Sequence, residues 1–208
     1  MEIHTPEGSI HSLRQFFIHL LMIVLGILIA LGIDQFKDYL HHRHIAYQAR
    51  ENLRMEIERN RKRLTDSLNN ESKLRSVLQD LLANEPQVMR EPEAAKRRIV
   101  AVEPSFAVLE STGWDTALAT QAVAYMEYSE VERYGNIYVG QRVFNDLENK
   151  FASVWLDLST YGDNPQKLQP GEIKAALRDL KLALATATQM DGLGHSILSR
   201  YDGVLRKN

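Results

Sequence analysis

Phe16-Phe-Ile-His-Leu-Leu-Met-Ile-Val-Leu-Gly-Ile-Leu-Ile-Ala-Leu-Gly-Ile33 is the stretch from which the rest of the chain is read. No Asp, Glu, Lys or Arg lies between Arg14 and Asp34. Wound as a helix rising 1.5 Å per residue, residues 15–33 reach about 28 Å, close to the hydrocarbon thickness of a bilayer. A cleaved signal peptide is the competing reading. The segment before the run carries only Arg14, no small-x-small site follows it, and the run exceeds a usual signal core. The expectation is a transmembrane helix over 16–33, preceded by a disordered tail over 1–15. His19 lies one turn inside the span and reads as an interfacial side chain. Gly26-x-x-x-Ala30 has the small-residue spacing that lets membrane helices approach closely, so Gly26 and Ala30 are candidates for helix packing.

Working outward, no helix breaker follows Asp34 until Pro86. Leu53, Ile57, Asn60, Leu64, Ser67/Leu68, Glu71, Leu74, Leu78 and Leu81 recur at steps of four and three, a heptad register with polar intrusions at Asn60 and Glu71. Glu58 with Lys62 and Glu71 with Arg75 have i,i+4 spacing. The membrane helix is therefore expected to continue into a long amphipathic helix over 34–83. Its stripe is either the core face of an intramolecular bundle or a coiled-coil seam with a second copy. A glutamate is costly in a seam, which favours the bundle.

Asn84-Glu-Pro-Gln87 reads as a loop, and Pro86, Pro92 and Pro104 bracket a helix of about two turns over 93–102. An apolar patch follows at 105–110. Ser111-Thr-Gly113 opens a helix containing Trp114-Asp115, and Ser129-Glu-Val-Glu132 has the capping-box pattern. The helix it opens carries Tyr134, Ile137, Tyr138, Gln141, Phe144, Leu147, Phe151, Val154, Trp155 and Leu158 on one stripe. After a loop at 161–171, Pro170-Gly-Glu172 starts a last helix with Ile173, Ala176, Leu177, Leu180, Leu184 and Ala187 inward. Gly192 and Gly194 break or loosen it. The fold expected is all-α: an N-terminal transmembrane helix continuing into a long amphipathic helix, then a helical bundle completed by residues 84–208.

The 208 residues carry a net charge of -2 with a pI near 6.4, which argues against a nucleic-acid binder. Cysteine is absent, so disulfides, thiolate metal sites and cysteine nucleophiles are excluded. His-Glu-x-x-His, the phosphate loop, the dinucleotide-binding glycines and paired Glu-x-x-His units are absent too. Gly194-His-Ser lacks the second glycine of a nucleophile elbow.

Chemistry remains open in the run from Asp34 to His44. Asp34, Asp38, His41 and His42 fall on one side of a helix, and Asp38-x-x-His41 has the spacing to share a metal ion, with His44 a further candidate and a second chain completing the set. The bland reading is a headgroup-level belt of Phe36, Tyr39, Lys37 and the histidines. A histidine cluster could also sense pH. Arg59-x-Arg61-Lys-Arg63 and Lys96-Arg-Arg98 lie among acids and read as solvated faces before lipid or partner contacts. Glu127, Glu130 and Glu132 sit at a helix start, where acids favour the dipole. Trp114, Tyr134, Tyr138 and Trp155 read as packed core before a ligand pocket.

Val24-Leu-Gly-Ile-Leu-Ile-Ala-Leu-Gly-Ile-Asp-Gln-Phe36 resembles the span of a group of bacterial single-pass membrane proteins. In that group a Val-x-Gly-Ile-Leu-Ile-Ala-Leu-x-Ile-(Asn/Asp)-x-Trp segment runs into a charged helix like Arg50-Glu-Asn-Leu-Arg-Met-Glu-Ile-Glu-Arg-Asn60. Trp114-Asp-Thr-Ala-Leu118 is similar as well. Phe36 stands where the group usually has Trp. The resemblance covers about 45 residues and implies a membrane-anchored helical protein; it brings no activity and no site residues.

Three functional readings follow. The first is a scaffold or interaction protein of the bacterial inner membrane, without catalytic activity or cofactor, whose partners are the lipid bilayer and either an unidentified protein or a second copy. The second is a sensory ligand-binding bundle acting through a partner. The third is a metal-dependent membrane enzyme using Asp38, His41 and His44. Lys37, Arg43, Arg50 and Arg54 after the span, against Arg14 before it, favour a cytoplasmic bundle.

Overall fold

The computed structural model describes residues 13–160 and 169–206, and every described element is helical. The helices are α1 (Leu13–Ala83), α2 (Glu85–Arg90), α3 (Pro92–Val100), α4 (Thr112–Ala119), a 3-10 turn (Ala122–Tyr125), α5 (Tyr128–Thr160) and α6 (Pro170–Leu205). The fold is all-α, with no strand among the described residues. The chain divides into two compact units, Met1–Tyr47 and Gln48–Asn208.

In the first unit the helix is apolar, and none of its most apolar window is buried. It is long and apolar enough to cross a membrane and lies near the N-terminus, a property shared by signal sequences. Leu13, Arg14 and Gln15, read above as tail, already belong to α1; the rest of that tail lies outside the described residues.

The second unit is a bundle built on α5, α6 and the part of α1 from Gln48 onward. Leu53, Ile57, Leu64, Leu68, Leu74, Leu78 and Leu81 of the α1 stripe are all buried within the single chain. The stripe is thus a bundle core rather than a seam left open for a second copy. From α5 come Tyr134, Ile137, Tyr138, Phe144, Phe151, Val154 and Leu158; from α6, Leu177, Leu180, Ala183, Ala187, Met190, Ile197 and Tyr201. Each large apolar side chain removed from water contributes roughly 1.5–3 kcal/mol before chain entropy is charged against it.

Local chemistry departs from the sequence reading at three places and agrees with it at the start of α6. Residues 85–87, expected as loop, open a short helix over 85–90, because Pro86 at the head of a helix gives up an amide that would be unsatisfied there anyway. α5 begins at Tyr128, so Ser129 lies inside the first turn instead of capping it. The Glu127 carbonyl already accepts from the Glu130 and Val131 amides. At α6, Glu172 Oε2 accepts from the Gln169 amide at 2.7 Å, closing that helix start one residue ahead of Pro170. Gly192 and Gly194 do not break α6. A Cβ at Gly194 would stand 2.9 Å from Leu68 Cδ2, so this glycine lets α6 pack closely on α1. The 161–171 loop lies mostly outside the described residues.

Candidate functional site: a polar ladder and its strap

Between α3 and α4 the chain runs without regular structure over 103–111. Ala107 and Leu109 are buried while Phe106 and Val108 are exposed, the alternation of a strand with no neighbouring strand. A backbone buried this way must find partners among side chains. It does so on two sides.

From α1, Glu56 Oε2 accepts from the Gly113 amide at 2.7 Å. Asn60 pairs twice with Glu110, accepting from its amide at 2.9 Å and donating to its carbonyl at 2.7 Å. Arg63 donates to the Val108 carbonyl at 3.3 Å, and Ser67 Oγ to the Ser105 carbonyl at 2.7 Å. Residues 56, 60, 63 and 67 meet 113, 110, 108 and 105 in descending order, so the strap runs antiparallel to α1. At 100° per residue these four positions share an arc of roughly 60° on the helix.

From α5, Asn145 pairs twice with Leu109, at 3.2 Å to its amide and 2.9 Å to its carbonyl. The Glu148 carboxylate spans two successive amides, Ala107 at 2.5 Å and Val108 at 3.1 Å. Glu148 is 4% exposed. Burial raises its carboxyl above the usual range, and the two amides oppose that rise. Between the Glu148 and Arg63 contacts Val108 takes φ of 45°, a left-handed conformation costly for a β-branched residue.

The ladder's first rung extends inward. Glu56 Oε1 accepts from the Tyr138 hydroxyl at 2.7 Å, and the Tyr138 ring stacks on Trp114 at 5.3 Å between centroids. A Cβ at position 113 would stand 3.2 Å from Glu56 Oε1, so glycine there admits the carboxylate. Gln141 Nε2 donates to the Tyr201 hydroxyl at 2.6 Å while its Oε1 is buried without a partner. Burial raises the pKa of both tyrosines, and the Glu56 hydrogen bond adds to this at Tyr138.

The sequence candidates fall elsewhere. Asp38, His41 and His44 are exposed on α1, and no group of three His, Cys, Asp or Glu that could hold a metal occurs among the described residues. His41 and His42 have ring centroids 6.1 Å apart, and Arg43 lies over the Tyr39 ring at 5.7 Å. Open space surrounds Gly26 in the single chain. Arginines of the basic clusters face acids: Arg63 and Arg59 reach Glu110 at 2.7 and 3.5 Å, Arg61 reaches Asp202 at 2.8 Å, and Arg98 reaches Asp80 at 2.6 Å. Arg50 takes Glu130 at 2.8 Å. Arg75 turns from Glu71 to Asp191 at 2.9 Å.

Asn60 and Glu71 were visible in the sequence as polar members of an apolar stripe. Glu148 went unnoticed, although its place between Phe144 and Phe151 puts it on the buried arc of α5. Asn145 carries no such signal, since it is half-buried beside that arc. The groove lined by Arg133, Asn136, Ile137, Arg200, Gly203 and Val204 has a volume of about 520 Å³ and lies between α5 and α6. One of its arginines, Arg200, donates to the Asn136 carbonyl at 2.8 Å. No protein-family model, curated protein or solved structure matches the chain.

Proposed function

We propose that the protein is a membrane-anchored helical scaffold that acts by binding another protein or a second copy of itself, without catalysis. Residues 16–33 hold it in the bacterial inner membrane, with the bundle on the cytoplasmic side. The reading is supported by where most of the buried polar side chains are spent. Glu56, Asn60, Ser67, Asn145 and Glu148 hold the chain's own backbone, and the tyrosines and Gln141 bond to neighbours in the core. A catalytic site would need such groups free and converging on a substrate.

The test is photocrosslinking in native membranes from exposed positions of α5, with the probe at Val143 or Val139, one turn apart. A discrete crosslinked partner or dimer, identified by mass spectrometry and lost when the probe moves to buried Phe144, supports the scaffold. Recovery of monomer alone from both positions overturns it. Alkaline carbonate extraction tests the anchor: the full chain should stay with the membrane, and a chain lacking residues 1–33 should be released.

A further inference from the structure

Glu71 continues the α1 ladder one turn past Ser67, but no group of the strap hydrogen-bonds to its carboxylate. The last strap bond to α1 is the one from Ser67 to the Ser105 carbonyl. Glu71 is 6% exposed, and neither carboxyl oxygen has a hydrogen-bond partner. The charges around it come from three helices. On α1, Arg75 commits its guanidinium to Asp191, and its Nε is itself buried without a partner. On α6, Asp191 also faces His195 at 3.6 Å. On α5 the nearby charge is Glu148. Two carboxylates and one cation, already paired, thus surround a third carboxylate that has left water.

We propose that Glu71 is a proton-binding site of the bundle core, neutral while α6 is closed on α1, and that its ionisation loosens that seam. A proton removes the charge that neither the strap nor Arg75 satisfies. Burial pushes the Glu71 carboxyl up to about 7, Arg75 pulling it down and Asp191 and Glu148 adding to the rise. The sign follows from linkage. Between the ordinary carboxylate value of 4.5 and about 7 the closed bundle holds a proton that the open chain has lost. Closure is therefore strongest below 4.5, weakens as pH climbs through this window, and is weakest above it. The device places the change near neutrality, where a modest pH shift alters how firmly the bundle is shut.

The full chain in detergent micelles gives the test, as wild type, Glu71→Gln and His195→Gln. Infrared spectra follow the protonated carboxyl band. Hydrogen exchange, corrected for its intrinsic pH dependence, follows peptides around Glu71 in α1 and around Gly194 in α6. In the wild type the band should vanish with a midpoint near neutral pH, and opening of the seam should rise on the order of a hundredfold from pH 5 to pH 8. Glu71→Gln, the mimic of the protonated form, should lose the band and stay closed across the range, while His195→Gln should behave as wild type. A wild type without the band at pH 5.5 overturns the proposal. So does pH-dependent opening that persists in Glu71→Gln or disappears in His195→Gln. The infrared titration of the wild type stands by itself if Glu71→Gln does not fold.

Discussion

Replacing Glu148 by Ala tests whether the strap is held as the geometry says. The carboxylate accepts from two strap amides, Ala107 at 2.5 Å and Val108 at 3.1 Å, and a bond to a charged acceptor nets about 1.5–3 kcal/mol. Two such bonds sum to roughly 3–6 kcal/mol. Against this stands the cost of burying the carboxylate, visible in its raised pKa, which the truncation recovers. The strain at Val108 is recovered as well, roughly 1–2 kcal/mol, because a freed strap need not keep φ at 45°. The net loss expected is about 2–3 kcal/mol, confined to the strap. Hydrogen exchange with mass spectrometry on the full chain near pH 6 reads it directly. Peptides covering 103–111 should exchange roughly 30- to 150-fold faster, while those at the α5–α6 contact keep their protection. Equal loosening throughout the bundle, or an unchanged strap, would refute the clamp.

Other substitutions probe the same arrangement from different sides. Val108→Asn should stabilise the protein by about 1 kcal/mol, since Asn tolerates left-handed backbone and a side chain 65% exposed gives up little burial; a lower melting temperature would count against the strain. Asn60→Leu leaves the Glu110 amide and carbonyl without partners and should cost roughly 2–3 kcal/mol in thermal denaturation; a loss under about 0.5 kcal/mol would count against the pairing. Gly194→Ala gains about 1 kcal/mol of helix propensity but drives a Cβ to 2.9 Å from Leu68 Cδ2, so it should destabilise by roughly 1 kcal/mol net. Combined with Leu68→Ala, the same change should become neutral or favourable, and additive losses in the double mutant would place the conflict elsewhere.

Much of the architecture was legible because one physical signal dominates each long helix. The uncharged run at 15–33 and the heptad steps from Leu53 to Leu81 each leave a period or a length that few other structures satisfy. The aromatic stripe of α5 did the same. The strap was not legible as such. Its alternation over Phe106, Ala107, Val108 and Leu109 covers four residues, too short to separate from any loop patch, and it contacts side chains contributed by helices 36 to 50 residues away in sequence. Intrinsic propensity makes Gly192 and Gly194 read as a break or a loosening, and α6 runs through them unbroken. The packing of Leu68 on position 194 outweighs that cost. The Ser129-Glu132 pattern misled for the opposite reason: the motif is present, but the Glu127 carbonyl had already begun the helix.

The polar members of the α1 stripe show how a heptad pattern can be read two ways and what decides between them. In a coiled-coil seam a polar residue meets its own copy, so one isolated asparagine suffices to set register. Here Glu56, Asn60 and Ser67 lie on one arc, and each bonds a backbone group of the strap or of the first turn of α4. That is the requirement of an extended segment laid along a helix, because such a segment brings amides and carbonyls with no sheet to receive them. A polar arc that recurs every third or fourth residue beside an apolar one therefore points to inserted chain rather than to a second helix. Glu71 keeps the same arc one turn beyond the last strap bond, so it retains the burial without the hydrogen bonds. Glu148, equally buried, has both: two strap amides oppose the rise in its pKa, whereas at Glu71 the charge of Arg75 opposes it and no hydrogen bond does. The two carboxylates differ in what the backbone offers them, and this difference makes Glu148 a fastener and Glu71 a titrating site.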